Sequence, residues 1–363
     1  MVIAAGGTAG HVVPALAVAD ALRAEGAEVS FLGADDRAEA ELVPAAGYEI
    51  DLLRLRGLDR GNPVRAVGSL RLAAAAVPAA RRALRDRGAQ AVLGGGGYVA
   101  GPAGLAALSL GMPLVLTEAD RHLGLTNRLL SRRAQRICLA FPIPGREGER
   151  YLVTGRPVPA AIGAADRDRA RERFGIAASG RCLLVFGGSQ GARSINRCAL
   201  EAFAGAAAAD RAFHVLHISG TRDYDEARER LAAGGDAARY TLLAYEPDLA
   251  DALAASDLVL ARAGGSIFEI AAAGRPAILV PYPHAASRHQ HANAAWMADA
   301  GAAVVVEDGA LDPARLRRLA GELLADDERL REMARAAKAR ARPDAAQRVA
   351  AEVLDAIREA AGS

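Results

Sequence analysis

The sequence predicts an α/β protein of two doubly wound domains, each a parallel sheet covered by helices on both faces. Three observations lead there. Short apolar segments alternate with Ala- and Arg-rich helical stretches along nearly the whole chain, the pattern of βαβ units. A strand, a Gly-Gly-hydroxyl loop and a helix occur in that order twice, around Gly6-Gly7-Thr8 and around Gly187-Gly188-Ser189. The length of 363 residues also exceeds the roughly 100 to 200 that one core usually fills.

The first half opens with a strand at Val2 to Ala5, the loop Gly6-Gly7-Thr8-Ala9-Gly10-His11, a helix to about Arg23 and a strand at Val29 to Leu32. Further strands are expected at Ile50 to Leu53, Ala91 to Leu93, Leu114 to Leu116 and Ile137 to Ala140. The uncharged run from Ala91 to Leu116 is long enough to cross a bilayer, but its seven glycines and two prolines mark strand ends and turns. The Pro-rich link Gly155-Arg156-Pro157-Val158-Pro159 marks the domain boundary. A second series of strands follows at Cys182 to Phe186, Phe213 to Ile218, Tyr240 to Leu243, Leu258 to Ala261, Ala277 to Val280 and Ala303 to Val306. From about Ala314 onward the chain reads as helices. The expected domains are residues 1–157, joined by a terminal helix at about 342–363, and residues 158–341, with ligands in a cleft at the carboxyl ends of the strands.

Composition excludes several classes. Hydrophobic residues make up 52% and charged ones 24%, which rules out wholesale disorder. A net charge of +2 gives no global field for nucleic acid, so no nucleic-acid partner is expected. Cys138, Cys182 and Cys198 are too scattered for a disulfide framework or a four-ligand zinc site, which fits a reducing cytoplasm. The opening Met-Val-Ile-Ala-Ala-Gly-Gly has no basic segment or cleavage site of a signal peptide.

The Gly-rich loops carry the chemistry. A loop of small residues after a strand exposes main-chain N–H groups, and the helix behind it adds a partial positive charge, which together suit a diphosphate. Neither loop is the dinucleotide-binding G-x-G-x-x-G or a P-loop with its lysine, and a tight turn alone is the other reading. His11, at the start of the first helix, either takes a proton from an attacking hydroxyl or only caps the helix or contacts phosphate. Glu269, one turn behind Gly264-Gly265-Ser266, either accepts hydrogen bonds from a ribose diol or only complements the helix dipole. The loop Pro283 to His291 holds three histidines but no acid or cysteine, so polar ligand contact is expected there and no metal. Asp166-Arg167-Asp168 and Asp223-Tyr224-Asp225 have the Asp-x-Asp pattern of metal-dependent sugar transferases. Each opens a charged helix and is read as a solvated face.

Taken together, the chain resembles the MurG family of glycosyltransferases (family 28) nearly end to end. The resemblance rests on Gly6 to His11, Gly96-Gly97-Tyr98-Val99-Ala100-Gly101-Pro102, Gly124-Leu125-Thr126-Asn127, Gly187 to Arg193, Gly264 to Gly274 with Glu269, and His289-Gln290 followed by Asn293-Ala294. It implies a GT-B fold, two Rossmann-like domains facing across a cleft. It also implies inverting, metal-independent transfer of N-acetylglucosamine from UDP-N-acetylglucosamine to lipid I, forming lipid II for peptidoglycan, with no cofactor. By resemblance the second domain holds the donor. Glu269 takes the ribose, Ser189 and the Gly264-Gly265-Ser266 turn the diphosphate, the backbone near Glu246 the uracil, and His289 with Gln290 the sugar, with Gln190 also among the donor-binding residues. The first domain holds the acceptor at Gly7, Thr8, Ala9, Gly10 and His11, with Tyr98, Asn127 and Arg156 nearby. His11 and Glu118 are the two candidates for the base.

The chain departs from the family pattern in places. Ala9 stands where many relatives have glycine, Thr117-Glu118-Ala119-Asp120 where His-Glu-Gln-Asn is common, and Arg156-Pro157-Val158-Pro159 where Asn-Pro-Val-Arg is common. These positions leave open a transferase with another lipid or secondary-metabolite acceptor, or a UDP-sugar binder without turnover. A lipid acceptor implies a peripheral position on the cytoplasmic face of the membrane. Arg65, Arg71, Arg81 and Arg82 beside Leu70, Leu72 and Val77, with Arg128, Arg132 and Arg133, supply the mixed basic and apolar surface this needs, an ordinary solvated helix being the other reading.

Overall fold

The computed structural model describes all residues except 36, 56–62, 189–190, 206–211, 235–238, 286–287 and 363, and all described side chains except those of 63–67 and 70. The chain divides into two compact units, Met1–Pro159 with Arg342–Ser363, and Ala160–Ala341.

The first unit runs β1 (Val2–Ala4), α1 (Ala9–Ala24), β2 (Ser30–Ala34), α2 (Glu39–Ala45), β3 (Glu49–Leu53), α3 (Pro63–Asp86), β4 (Val92–Gly94), α4 (Ala100–Ser109), β5 (Leu114–Glu118), α5 (Leu125–Leu130), β6 (Arg136–Leu139) and β7 (Tyr151–Val153). Its strands are parallel, in the order β3-β2-β1-β4-β5-β6-β7. Side chains alternate between the two faces of each strand, and both faces are apolar because both are covered. Val2, Leu32, Val92, Leu114, Leu116 and Ile137 pack with Leu84 of α3 and Ala103 of α4. Ile3, Phe31, Leu93, Val115 and Cys138 face the other way, onto Val12 and Val18 of α1. The uncharged run from Ala91 to Leu116 resolves into β4, α4 and β5. Among the described residues no helix is long and apolar enough to cross a membrane.

The second unit runs α6 (Ala161–Ala164), α7 (Arg167–Arg173), β8 (Arg181–Phe186), α8 (Arg193–Phe203), β9 (Phe213–Ile218), α9 (Tyr224–Ala233), β10 (Tyr240–Leu243), α10 (Leu249–Ala255), β11 (Leu258–Ala261), α11 (Ile267–Ala272), β12 (Ala277–Leu279), α12 (His289–Ala298), β13 (Ala303–Val305), α13 (Pro313–Ala325) and α14 (Asp327–Arg340). Its parallel sheet has the order β10-β9-β8-β11-β12-β13. The chain then closes with α15 (Ala345–Ala361), which belongs to the first unit and lays Val349, Val353 and Ala356 on the α1 face of its sheet.

Both sheets start at an interior strand, build outward in one direction and return to build in the other. Strand order therefore reverses between β1 and β4 and again between β8 and β11. Connections leave opposite faces at such a point, opening a crevice at the carboxyl ends of the strands. The four Gly-rich turns of the sequence follow these four strands.

Two sequence expectations need correction. Strand β7 was absent from the expected set: three residues at a sheet edge, after the charged run Arg146 to Arg150, give too short an apolar signal to stand out. Asp223 is not on a solvated face. It is 4% exposed and accepts hydrogen bonds from Arg222 Nε at 3.0 Å and Asn196 Nδ2 at 3.1 Å, and the Arg222 bond holds its carboxyl below the usual range. Asp166 matches the expectation, capping α7 from the surface through Arg169 N at 2.8 Å.

Asn196 links Asp223 to the core of the second unit. Its Oδ1 lies 3.0 Å from His217 Nε2, and His217 Nδ1 lies 2.8 Å from the Tyr240 hydroxyl. Burial pushes this fully enclosed imidazole down to about 3, so it is neutral at pH 7. The unfolded chain takes a proton at His217 near pH 6.5, whereas the folded chain resists until about pH 3. Stability from this residue is thus complete above pH 6.5 and is lost as pH falls through that window, by up to about 1.4 kcal/mol per pH unit. Thermal midpoints measured from pH 7 to 4 should fall in wild type and fall less steeply in His217→Gln. Equal slopes would remove His217 from the acid response.

Candidate functional site

In the first unit the site is built where two glycine loops meet. Gly97, at φ +74°, comes so close to Gly6 that a Cβ would lie 2.1 Å from the Gly6 carbonyl oxygen. Gly96, at φ +99°, faces the imidazole of His11, 2.6 Å from its Cδ2 by the same measure. Only glycine permits both the dihedral and the approach. Beside these loops lies a cavity of about 450 Å³, lined by His11, Tyr98, Glu118, Asn127 and Arg156 among others.

His11 lies in the first turn of α1, with Nδ1 3.3 Å from the Thr8 hydroxyl. Burial lowers its pKa to about 4, Arg156 adding to the shift and Asp120 opposing it, so the ring is neutral at pH 7 with one nitrogen able to accept a proton. Thr8 precedes α1 in extended conformation, and Ala9 and Gly10 begin the helix, whose first turn carries no acid to cancel its positive end. Arg156 reaches back to donate to the Gly10 carbonyl. The aromatic edge of Tyr98 lies 3.1 Å from the position of a Cβ on Gly7.

Glu118 ends β5 with its carboxylate engaged. Oε2 accepts from Gly124 N at 2.8 Å and Asn127 Nδ2 at 3.0 Å, and Oε1 from Asp120 N at 3.1 Å. It shapes the loop leading to α5. Asn127 also donates to the Thr117 carbonyl at 2.9 Å, while its own Oδ1 is buried without a hydrogen-bond partner. A buried carbonyl oxygen in a cavity wall is an acceptor waiting for a donor.

In the second unit, Gly264, Gly265 and Ser266 form the turn after β11, and Glu269 stands half-buried in the first turn of α11. His289 and Gln290 begin α12 beside them. The Gln290 amide nitrogen lies 3.9 Å from a Cβ position on Gly264, Asn293 Nδ2 donates to the Ala263 carbonyl at 3.0 Å, and Phe268 packs on Trp296 at 5.2 Å. Gln290 Oε1 also accepts from Tyr282 N at 2.9 Å, tying α12 to the loop after β12. Ser189 and Gln190 lie outside the described residues. Gly191, which follows them in the chain, packs against the Ser219 carbonyl. Glu246 follows β10 at the sheet edge, its buried carboxylate held by Arg173 at 2.8 Å and 2.9 Å and by Asp248 N at 2.8 Å.

Two residues absent from the expected site hold its loops. Arg262, at the end of β11, donates to Asp308 at 2.6 Å, to Ser194 Oγ at 2.8 Å and to the Val280 carbonyl at 3.1 Å, and stacks over Tyr282. It thereby joins the segments after β8, β11, β12 and β13. A lone arginine breaking an apolar strand end was the available signal. The other is Glu39, which opens α2 beneath the first glycine loop and is 0% exposed. Gly7 N, a candidate diphosphate donor in the sequence, is directed to its carboxylate. Among the described residues no group of three or more His, Cys, Asp or Glu is placed to hold a metal ion.

Comparison with known proteins agrees with this architecture. Residues 1–139 match the glycosyltransferase family 28 N-terminal domain and residues 182–349 the family 28 C-terminal domain. A UDP-N-acetylglucosamine–N-acetylmuramyl-(pentapeptide) pyrophosphoryl-undecaprenol N-acetylglucosamine transferase of Halorhodospira halophila is 43% identical, over 96% of each chain. The protein of the same name from Moorella thermoacetica is 39% identical, over 98% of this chain and 99% of its own. The crystal structure of Acinetobacter baumannii MurG superposes with a TM-score of 0.74 at 32% identity, over 98% of this chain and 99% of that one. The chain has the GT-B fold and belongs to glycosyltransferase family 28.

Proposed function

We propose that this protein transfers N-acetylglucosamine from UDP-N-acetylglucosamine to the muramyl 4-hydroxyl of lipid I, forming lipid II. The observation that carries the reading is near-full-length identity of about 40% to transferases named for that reaction. Glycine turns at both strand-order reversals support it, because each is suited to a diphosphate, and both donor and acceptor carry one.

The donor belongs to the second unit. Glu269 accepts hydrogen bonds from the ribose, the Gly264-Gly265-Ser266 turn and the loop at Ser189 and Gln190 take the diphosphate, the chain near Glu246 the uracil, and His289 with Gln290 the sugar. The start of α8 has no acid in its first turn, so its N–H groups and dipole stabilise charge on the departing UDP. No metal ion is required for that step.

The acceptor belongs to the cavity of the first unit. Its hydroxyl attacks the anomeric carbon from the side opposite UDP, which inverts the configuration, and His11 takes the proton. Glu118 is the weaker candidate because main-chain N–H groups and Asn127 already occupy its oxygens. His11 starts as a weak base at about 4, and a bound diphosphate raises its proton affinity by placing negative charge beside it. Arg156 counters part of that charge.

A lipid acceptor places the enzyme at the cytoplasmic membrane surface. Leu105, Leu125 and Leu129 are exposed on α4 and α5, Leu129 at 70%, with Arg128, Arg132 and Arg133 exposed alongside. Apolar side chains amid cations suit an anionic lipid surface. On α3, Arg71, Leu72 and Arg82 are exposed as well, while the side chains of Arg65 and Leu70 lie outside the described set.

Turnover of UDP-N-acetylglucosamine with lipid I in excess EDTA is the direct test. Activity should persist; its loss, restored by Mg²⁺ or Mn²⁺, would overturn the metal-free step, and no turnover under either condition would overturn the reaction itself. Glu269→Ala should raise the donor KM about tenfold, the worth of a lost charge-assisted hydrogen bond, and an unchanged donor KM would take Glu269 out of the site. His11→Ala should lower kcat by about 10² to 10⁴ with donor KM near wild type, whereas Glu118→Ala should act mainly on the acceptor KM. The acid limb of kcat should lie at higher pH than that of kcat/KM for the acceptor, since only the former reports His11 beside bound diphosphate. Coincident limbs, or a His11→Ala enzyme with wild-type kcat, would end the case for this base.

A further inference from the structure

We infer that Glu39 is a positioning residue for the acceptor loop, a buried anion that fixes both glycine loops of the first unit from below. Its side chain is wholly enclosed, yet the carboxylate is hydrogen-bonded entirely to main chain: Gly7 N at 3.1 Å and 2.9 Å to its two oxygens, and Ala34 N at 3.0 Å to Oε1. One side chain thus ties the loop after β1 to the end of β2. The packing is equally specific. A Cβ on Gly6 would lie 2.1 Å from Glu39 Oε1, and one on Gly33 would lie 2.7 Å from Glu39 Cγ. Gly6 and Gly33 leave the space that this carboxylate fills.

The upper loop rests on the lower one. Gly97 packs on the Gly6 carbonyl, and Tyr98 lies over Gly7, so the orientation Glu39 imposes on the Gly6-Gly7 peptide is passed to the cavity wall that carries Tyr98. Glu39 is not among the residues that line the cavity. An anion that must lie near a second anion costs binding energy unless it returns something, and what it returns here is geometry. With Gly7 N turned inward, the positive end of α1 is left to the incoming diphosphate. Glutamine keeps one acceptor oxygen but puts an amide nitrogen where Oε2 lies 2.9 Å from Gly7 N, donor against donor, and loses the charge that strengthens these bonds.

This inference rests on the acceptor reading of the cavity, and its test has an arm independent of that reading. Amide hydrogen exchange at Gly7 and Ala34 needs no substrate. Protection in wild type and its loss in Glu39→Gln are expected, and equal exchange in the two proteins would overturn the role. In turnover, Glu39→Gln should lower kcat/KM for the acceptor by about tenfold or more while the donor KM stays within about twofold, because the donor belongs to the other unit. An acceptor kcat/KM within about twofold of wild type, or a parallel rise in donor KM that marks general loss of structure, would overturn it. Should Glu39→Gln fail to fold, Glu39→Asp, which keeps the charge and withdraws it by one methylene, is read by the same criteria. If the exchange arm succeeds while wild type itself does not turn over lipid I, the acceptor reading fails and the loop-holding role stands.

Discussion

Much of the molecule follows from one constraint: main-chain N–H groups are free of their own side chains only where the backbone runs through glycine at the carboxyl end of a strand. Parallel doubly wound sheets offer that place twice, at the reversals between β1 and β4 and between β8 and β11. The glycines follow those strands for that reason. At Gly97 glycine has a second reason, because the loops after β1 and β4 approach each other more closely than a Cβ permits.

Bare backbone is also soft, and enclosed carboxylates hold main chain at several places in the two units, Glu39 doing so at a glycine loop itself. Glu118 accepts Asp120 N and Gly124 N, Glu246 accepts Asp248 N, Asp257 accepts Cys182 N, and Glu39 accepts Gly7 N and Ala34 N. A carboxylate suits the task because it accepts several hydrogen bonds at once and each is strengthened by its charge. Where main chain alone does not satisfy the anion, arginine does: Arg173 on Glu246, and Arg167 with Arg171 on Asp257. A chain with a single lysine, Lys338, relies for this on the forked guanidinium, which can bond to carbonyls and a carboxylate together. Arg171 does so, donating to Ala177, Ala178 and Ala255 carbonyls as well as to Asp257.

How much of this was legible in the sequence follows from the range of the forces involved. Interior strands buried on both faces write apolar runs, so Phe213–Ile218 and Leu258–Ala261 match the expected segments residue for residue, and the half-buried edge strand Tyr240–Leu243 does so as well. The edge strand Tyr151–Val153 writes almost nothing. Loops at the reversals were legible as glycine clusters, and the grouping of Gly264 with Gln290, or of His11 with Tyr98 and Asn127, followed from family motifs. Glu39 and Asp223 were not legible and Arg262 showed only as a charge at an apolar strand end, because each works through partners far along the chain: Glu39 reaches Gly7, Arg262 reaches Asp308, and Asp223 reaches Asn196. In a sequence a charged residue reads as surface until its partner is known, and these three are buried or largely so because the partner exists.

The same reasoning explains why the two units differ in how well their chemistry could be anticipated. Contacts in the second unit are close to the motif that announces them: Gly264, Ser266 and Glu269 fall within six residues, and α12 is tied to that turn through Asn293 and Ala263. The cavity of the first unit gathers His11 from β1–α1, Tyr98 from β4–α4, Glu118 and Asn127 from β5–α5, and Arg156 from beyond β7. Its electrostatics are a balance among groups more than a hundred residues apart, with Arg156 lowering the proton affinity of His11 and Asp120 raising it. Where the family resemblance leads one to expect Asn at 120 and an arginine three residues after 156, this chain has Asp120 and Arg156. A carboxylate at position 120 partly offsets a guanidinium at position 156, so the two departures compensate in charge at His11. That balance belongs to the fold, because only the folded loops bring Asp120 and Arg156 to His11.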